Sequence, residues 1–499
     1  YSYSATDDGG GTSWTVEHTV TSGEDVESLE FEITSFNDPS GNALVSSETH
    51  TTDDSGYSVV VDTTAPEVSD ITFTSSNPSS DPDYPSSYLS MEDDTVTLSL
   101  TTDERVENVE VMINGYSYSA TDDGGGTSWT VEHMVTSGED VESLEFEITS
   151  FSDPSGNALV SSETHTSDDS GYSIVVDTTG PQVSTVTFAS SNESSDPDLP
   201  EKTLLAKSGD TVTLSFTTDE RVEDVQVVIN GSSYSATDSD GSGTSWYAEH
   251  TVTSSEDADS AEFEITSFHD PSGNRLELSE TRSEDENFFT VRVDTTPPEV
   301  TEVSFASSNT SRDPDLPDTT LLAKEGDTLT LAFSTSERVG NAKVMINGFS
   351  YSASFAVDAS GTKWEAEHTV SSGEDADSTE FKIISFNDPS GNELTESRSI
   401  TEDDQSLTVK VDNTAPEVRE VSFSSSNSSI DPALPDTLLA KEGDTLTLKF
   451  TTSERVQDVK VKVNGVSHTA PEIAQPWVRQ FESFNTRPRD QPRQTSTPP

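Results

Sequence analysis

The sequence predicts an all-β protein of tandem antiparallel β-sandwich modules, each about 117 residues long. Three observations lead there. The phrase VDTTAPEV at 61–68 returns as VDTTGPQV at 176–183, VDTTPPEV at 293–300 and VDNTAPEV at 411–418. Asp62, Asp177, Asp294 and Asp412 therefore stand 115, 117 and 118 residues apart, one small domain per interval. Apolar residues alternate with polar ones at a period of two, and turn residues are dense while capped helical spacing is absent.

Along one repeat the elements follow in order. VDTTAPEV closes one strand and steps through proline into the next alternating run. In DTVTLSF (210–216) Val212, Leu214 and Phe216 share one face, the mark of a half-buried strand. ING at 113–115 and DDGGG at 122–126 are turns. In WTVEHMV (129–135) Trp129, Val131, His133 and Val135 point one way, and Thr130, Glu132 and Met134 the other. In LEFEI (144–148) Leu144, Phe146 and Ile148 alternate with glutamates. DPSGN (153–157) and DDSG (168–171) are further turns. Seven or eight short strands fit one repeat, and modules strung in tandem make an elongated rod. Three complete modules of ~40 Å each would reach ~120 Å.

Aligned on one another, the repeats give the C-terminal half of a module at 1–65, complete modules at 66–180, 181–297 and 298–415, and the N-terminal half of a module at 416–470. Each half lacks its partner strands, which predicts an incomplete core. Residues 471–499, rich in Pro, Arg and Gln, read as a disordered tail. Opening at Tyr1 in mid-repeat, the chain reads as a piece of a longer product, with any export signal or anchor outside it. Residues 1–68 and 116–183 are nearly identical, a recent duplication. The 298–415 repeat has drifted more, so what it keeps (Arg338, Trp364, Phe386, Asp388, Gly391, Asn392, Asp412) weighs more.

Composition narrows the function. The 499 residues carry 94 Asp and Glu against 25 Lys and Arg, and the first 201 hold a single basic side chain, Arg105. Such a surface repels nucleic acid and anionic lipid and attracts divalent cations, or keeps a protein hydrated in brine. There is no cysteine, so packing or bound ions must hold the modules together. No run approaches the ~20 apolar residues of a membrane span.

The chain combines the closing VDTTAP, LLAKxGDTxTLxF (204–216 and 321–333), a following ERV, a central tryptophan and FxDPSGN (151–157, 268–274, 386–392). In this the chain resembles the bacterial immunoglobulin-like repeats of large secreted and surface proteins, over residues 1–470. The resemblance implies tandem Ig-like sandwiches, an extracellular or cell-surface place, and a role as stalk or extender of an adhesin. Some similar extender modules are stiffened by calcium at their junctions.

In an Ig-like sandwich the B–C and F–G loops of one module would crowd the pole where the preceding module ends. The candidate ligands are then Asp62 with Asp103, Glu104, Asp153 and Asn157; Asp177 with Asp219, Glu220, Asp270 and Asn274; and Asp294 with Asp388 and Asn392. Calcium takes 6–8 hard oxygen ligands, and carboxylates with an Asn carbonyl suit it. The plain alternative stands beside it: Asp makes Asx turns, and DPSGN is good turn chemistry without an ion. A hairpin at 158–176 would also move the loop to the other pole. Arg105, Arg221, Arg338 and Arg455 are expected to pair with the F–G loop carboxylates, a structural role that would weaken the calcium reading.

Other signals are weaker. DSDGSGTSWYAE (238–249) spaces Asp238, Asp240, Ser242, Gly243 and Glu249 like an EF-hand loop, but between strands, so a polar hairpin loop is the default reading; TDDGGGTSWTVE (121–132) and AVDASGTKWEAE (356–367) lose ligands. His18, His133, His250 and His368 fall in phase with the tryptophan and read as packed side chains; His50 and His165 fall in polar loops. Asn192, Asn230, Asn309 and Asn427 lie in glycosylation sequons. No nucleophile motif, phosphate loop or His ligand set appears, so a catalytic domain is the poorest class. The leading function is a non-enzymatic extracellular spacer or adhesive stalk, with divalent cations and glycans or proteins of another cell as partners. The alternative is a set of carbohydrate- or wall-binding modules of a larger secreted enzyme, for which Tyr116 and Tyr118 are the candidate stacking aromatics.

Overall fold

The computed structural model describes residues 1–162, 164–276, 279, 281–355 and 360–469. The tail at 471–499 and the start of the 356–367 stretch lie outside them. The chain divides into two compact units, residues 1–296 with 389–392, and 297–388 with residues from 393 onward.

In the first unit, strand Val68–Ser75 pairs antiparallel with Thr95–Thr102, which pairs with Ser128–Met134, which pairs with Thr121–Asp122. The facing sheet runs Tyr116–Ser119, Glu107–Ile113, Phe146–Ser152, Thr164–His165. Strand Ser87–Ser90 lies parallel to the closing strand Ser173–Val176, so the first and last parts of the module are tied together. Period-two alternation sets the inner faces: Val96, Leu98 and Leu100 from one sheet meet Val109, Val111, Ile113, Phe146 and Ile148 from the other. Phe73 and Phe146 meet across the core with ring centroids 4.8 Å apart. Turns follow from residue type: Asn114 and Gly115 both have positive φ, 48° and 79°, the requirement of a two-residue hairpin.

The same order recurs around Phe188, Leu214 and Phe263 in this unit, and around Phe305, Leu331 and Phe381 in the second. The molecule is thus all-β, built of tandem antiparallel sandwiches. Residues 1–65 form only two-stranded ribbons; Trp14 is 57 % exposed where its repeat counterpart Trp129 is 7 % exposed. In the second unit Val421 and Phe423 are likewise exposed. Among the described residues no helix is long and apolar enough to cross a membrane.

Candidate metal centre

Every letter of the recurring VDTT phrase has a partner. Asp177 follows the last residue of strand Ser173–Val176, and its N–H donates to Ser90 O at 2.9 Å, which fixes the turn out of the sandwich. Thr178 donates from N and Oγ1 to Asp140 Oδ1 at 2.6 and 2.7 Å, and Thr179 Oγ1 donates to Asp140 Oδ2 at 2.9 Å. The aspartate carboxylate is thereby left beside the next sandwich.

Two loops of that sandwich meet it. Asp270 opens DPSGN and is 1 % exposed. Its Oδ1 accepts from the N–H groups of Gly273 and Asn274 at 2.6 and 2.9 Å, and its Oδ2 from Asn274 Nδ2 at 2.8 Å. Asn274 Nδ2 also donates to Asp177 O at 2.8 Å. Glu220 completes the set: one carboxylate oxygen each from Asp177, Glu220 and Asp270 all lie within 4.8 Å of one another. Asp62, Glu104 and Asp153 form the same cluster within the same limit, with Asn157 Nδ2 donating to Asp62 O at 3.1 Å. The expected hairpin at 158–176 is not formed: Thr164–His165 pairs with Phe146–Ser152 and Ser173–Val176 with Ser87–Ser90, and the F–G loop stays at this pole. Asp294 and Asn392 belong to the first unit, with Asn392 Nδ2 donating to Asp294 O at 2.8 Å; Asp388, fully buried, belongs to the second.

Asp103 and Asp219 stand apart from the clusters. Asp219 Oδ1 accepts from Gln182 N at 2.7 Å and Asp103 Oδ1 from Glu67 N at 2.8 Å, so each pins the start of the module's opening strand. Asn157 and Asn274 enter as donors that hold the aspartates.

The electrostatics are those of crowded like charge. Burial, then the carboxylates of Asp177, Asp270, Asp219 and Asp140, push Glu220 up to about 8. Burial and the neighbouring carboxylates push Asp177 up to about 6, against the Thr179 N–H that favours its anion. Asp270 is raised by burial, and Glu104 by burial, Asp62 and Asp153. Asp153 differs: burial lifts it, but hydrogen bonds from Asn157 and Gly156 together carry it below its ordinary value. In the second unit Glu454, the repeat counterpart of Glu220, keeps Oε1 buried with no hydrogen-bond partner.

The expected arginine pairing is overturned for Arg105 and Arg221. Arg105 pairs with Glu107 at 3.2 Å, and Arg221 with Glu223 at 4.0 Å and Ser242 O at 3.4 Å. Their stems pack over Gly126 and Gly243, where a Cβ would lie 2.8 and 2.7 Å from the arginine Cγ. The arginine is drawn to the glycine loop of its own module, and among the described residues Asp62–Glu104–Asp153 and Asp177–Glu220–Asp270 pair with no basic side chain. Arg455, in the second unit, reaches Asp315 at 2.5 Å and Asp313 at 3.8 Å. Sequence reasoning missed the glycine contact, whose signal was the joint recurrence of ERV and a Gly-Thr step (126–127, 243–244, 361–362).

The 238–249 loop is a polar hairpin, and one further expectation is corrected. Asp238 is register partner to Trp246, so Glu249, exposed three residues further along strand Ser245–Thr251, lies ~10 Å down the strand. Asp238 instead accepts from Gly241 and Gly243 N–H at 2.9 Å each, an Asx-capped hairpin rather than an EF-hand loop. His50 and His165 lie on strands Glu48–His50 and Thr164–His165, not in loops, and His165 stacks on Phe146 at 5.2 Å. His133, His250 and His368 are buried. The amide nitrogens of Asn192, Asn309 and Asn427, the atoms a glycan would need, donate to Asp210, Asp327 and Asp444 at 2.8, 2.7 and 2.8 Å.

No family model matches the chain, and no curated protein matches it. Solved structures of tandem sandwiches do. The I9–I11 tandem from titin is 12 % identical, covering 66 % of this chain and 97 % of that chain, with a TM-score of 0.24. The ICAM-5 D1–D4 ectodomain fragment is 11 % identical, covering 82 % and 100 %, with a TM-score of 0.25. Bacteroides ovatus SGBP-B in complex with mixed-linkage heptasaccharide is 13 % identical, covering 72 % and 73 %, with a TM-score of 0.13. The repeats carry an immunoglobulin-like β-sandwich fold. At these identities and superpositions the likeness ends there.

The clusters Asp62–Glu104–Asp153 and Asp177–Glu220–Asp270 can coordinate a divalent metal. Oxygens at ~2.4 Å from a calcium ion are at most ~4.8 Å apart, so the donor set is of the right span and hardness.

Proposed function

We infer that the chain is a non-enzymatic, extracellular spacer or adhesive stalk, similar to bacterial immunoglobulin-like surface repeats, with modules at 66–180, 181–297 and 298–415 whose junctions are locked by calcium. One observation carries this reading: two carboxylate clusters, each drawing the closing aspartate of one repeat and two loops of the next into 4.8 Å, with no basic partner among the described residues. Asp177, Glu220 and Asp270 would hold the ion, as would Asp62, Glu104 and Asp153, and the ion supplies the positive charge that the junction lacks. A second grip supports a stiff junction. Asn77 Nδ2 donates to Ser272 O at 2.8 Å, and Gly273 closes on Met91, whose sulfur would lie 3.1 Å from a Cβ.

The carbohydrate-binding alternative has less behind it. Tyr118 gives its hydroxyl to His133 at 2.7 Å, and Tyr116, half-exposed, spends one ring face on the same histidine. The test is calorimetric unfolding of the chain in EDTA, in millimolar calcium and in molar sodium chloride. Calcium is expected to stabilise by ~2.7 kcal/mol per site at a hundred times its dissociation constant. An equal rise with sodium chloride and none specific to calcium would leave the carboxylates as a solvated surface and remove the metal from the reading.

A further inference from the structure

Each of the three complete repeats buries a histidine whose two ring nitrogens are both engaged. His133, 2 % exposed, meets Tyr118 Oη through Nδ1 at 2.7 Å and Glu139 Oε2 through Nε2 at 2.9 Å. The same bridge stands at His18, His250 and His368. Any buried imidazole must satisfy both nitrogens; here one of the partners is a glutamate of the segment that grips the closing strand, which an apolar residue at this place could not hold. The glutamate it holds is the residue before Asp140, the group that clamps Thr178 and Thr179 beside Asp177.

The short segment 138–141 grips the closing strand through Gly138, Asp140 and Val141. Gly138 N donates to Thr178 Oγ1 at 2.9 Å, Asp140 takes the Thr178 and Thr179 donors, and Val141 exchanges two 2.9 Å backbone bonds with Val176. Glu139 fixes this segment to the sheet below through His133 and to Thr136 Oγ1 at 2.5 Å. In the second unit the threonine is replaced by Asn413, and the grip is rebuilt with other atoms. Asn413 N donates to Asp375 Oδ1 at 2.6 Å and Asn413 Nδ2 to Ser371 O and Glu374 O at 3.0 and 2.8 Å, while His368 still holds Glu374.

We propose that the buried histidine is a positioning residue for the junction: through Glu139 and Asp140, His133 sets where Asp177 presents its carboxylate to the next module. This rests on the metal reading for its consequence, because groups behind a ligand typically change metal affinity by ~10–100-fold when removed. The arrangement itself is read separately.

The test uses the full chain with His133→Phe, which keeps the ring against Tyr116, with Asp140→Asn, and with His133→Gln as the conservative variant that can still donate to Glu139. Calcium titration by calorimetry is expected to show one site weakened about tenfold or more in His133→Phe and Asp140→Asn, and largely restored in His133→Gln. Hydrogen exchange in EDTA, followed by mass spectrometry on the peptide ending in DTTGPQV, is expected to be faster in the same two variants; that ending separates it from DTTAPEV of the preceding repeat. Wild-type affinity and exchange in His133→Phe, with only a lower unfolding temperature, would overturn the proposal. If the wild type binds no calcium, the metal reading fails, and the exchange rates alone decide: faster exchange keeps the positioning role and unchanged exchange ends it.

Discussion

Glu220→Gln has opposite expected effects with and without calcium, which makes it a sharp perturbation. In EDTA above pH 8 the Glu220 carboxylate faces Asp177 and Asp270 within 4.8 Å. A like-charge pair at that separation costs ~3.5 kcal/mol at an effective dielectric of ~20 and ~1 kcal/mol in bulk water. Glu220 is partly exposed, so solvent screening holds the relief on neutralisation near the low end, ~1–2 kcal/mol. Glutamine keeps the shape and drops the charge, so in EDTA the variant should be more stable than the wild type by that amount. In calcium it loses a ligand, and a tenfold weaker site is ~1.4 kcal/mol of lost stabilisation. Calorimetric unfolding at pH 8.5 reads both signs, and a calcium titration should show one site per chain weakened about tenfold. A variant that binds calcium as tightly as the wild type and gains nothing in EDTA would refute the account of the junction.

The remaining predictions concern pH, packing and the second grip. The folded state holds Asp177 and Glu220 at about 6 and about 8, above their ordinary values, so it binds protons that the unfolded chain releases. Their contribution is complete below pH ~4 and is lost as pH rises through about 6 and about 8. The gap between unfolding temperatures in calcium and in EDTA should therefore widen from pH 5 to pH 8; a constant gap contradicts the assignment. Trp129→Ala should cost ~3–5 kcal/mol and Trp14→Ala under ~1, since one is 7 % and the other 57 % exposed; equal losses by calorimetry would mean that the two repeats pack alike. Gly273→Ala should destabilise by ~1 kcal/mol or more, because φ is +106° and Met91 lies where the methyl would go, and unchanged unfolding would show that the loop is free to shift.

Much of this was legible in the sequence because β-structure writes itself at a period of two. Leu144, Phe146 and Ile148 alternate with glutamates in the text and are buried in the sandwich. The cluster residues were legible for a different reason: a closing aspartate and a DPSGN loop recur at one domain length, and the fold must bring strand ends and loops to a common pole. Direction was not legible. ERV does not say whether Arg105 turns toward DPSGN or toward Gly126; that depends on a bare glycine Cα across the module, a long-range contact with no local mark. Nor does the pattern separate Asp103 from Glu104, adjacent residues of which one pins a backbone N–H and the other faces carboxylates.

The acidity itself divides once partners are assigned. Many aspartates are occupied by backbone donors: Asp122 Oδ1 accepts from Gly124 and Gly126, and Asp168 Oδ1 from Ser170 and Tyr172. These are turn builders whose lone pairs are already used. Glutamates such as Glu132 stand exposed on strands, where bulk cations screen them and no single ion is favoured. Glu104 and Glu220 belong to neither group, since each is pressed against two other carboxylates. Brine acts on the second group and leaves the first unchanged. The third is raised toward neutrality by its surroundings, and only a proton or a multivalent cation relieves it without unfolding the junction. A net charge of −69 therefore does not by itself argue for a bound cation; Glu104 and Glu220, with no donor among the described residues, do.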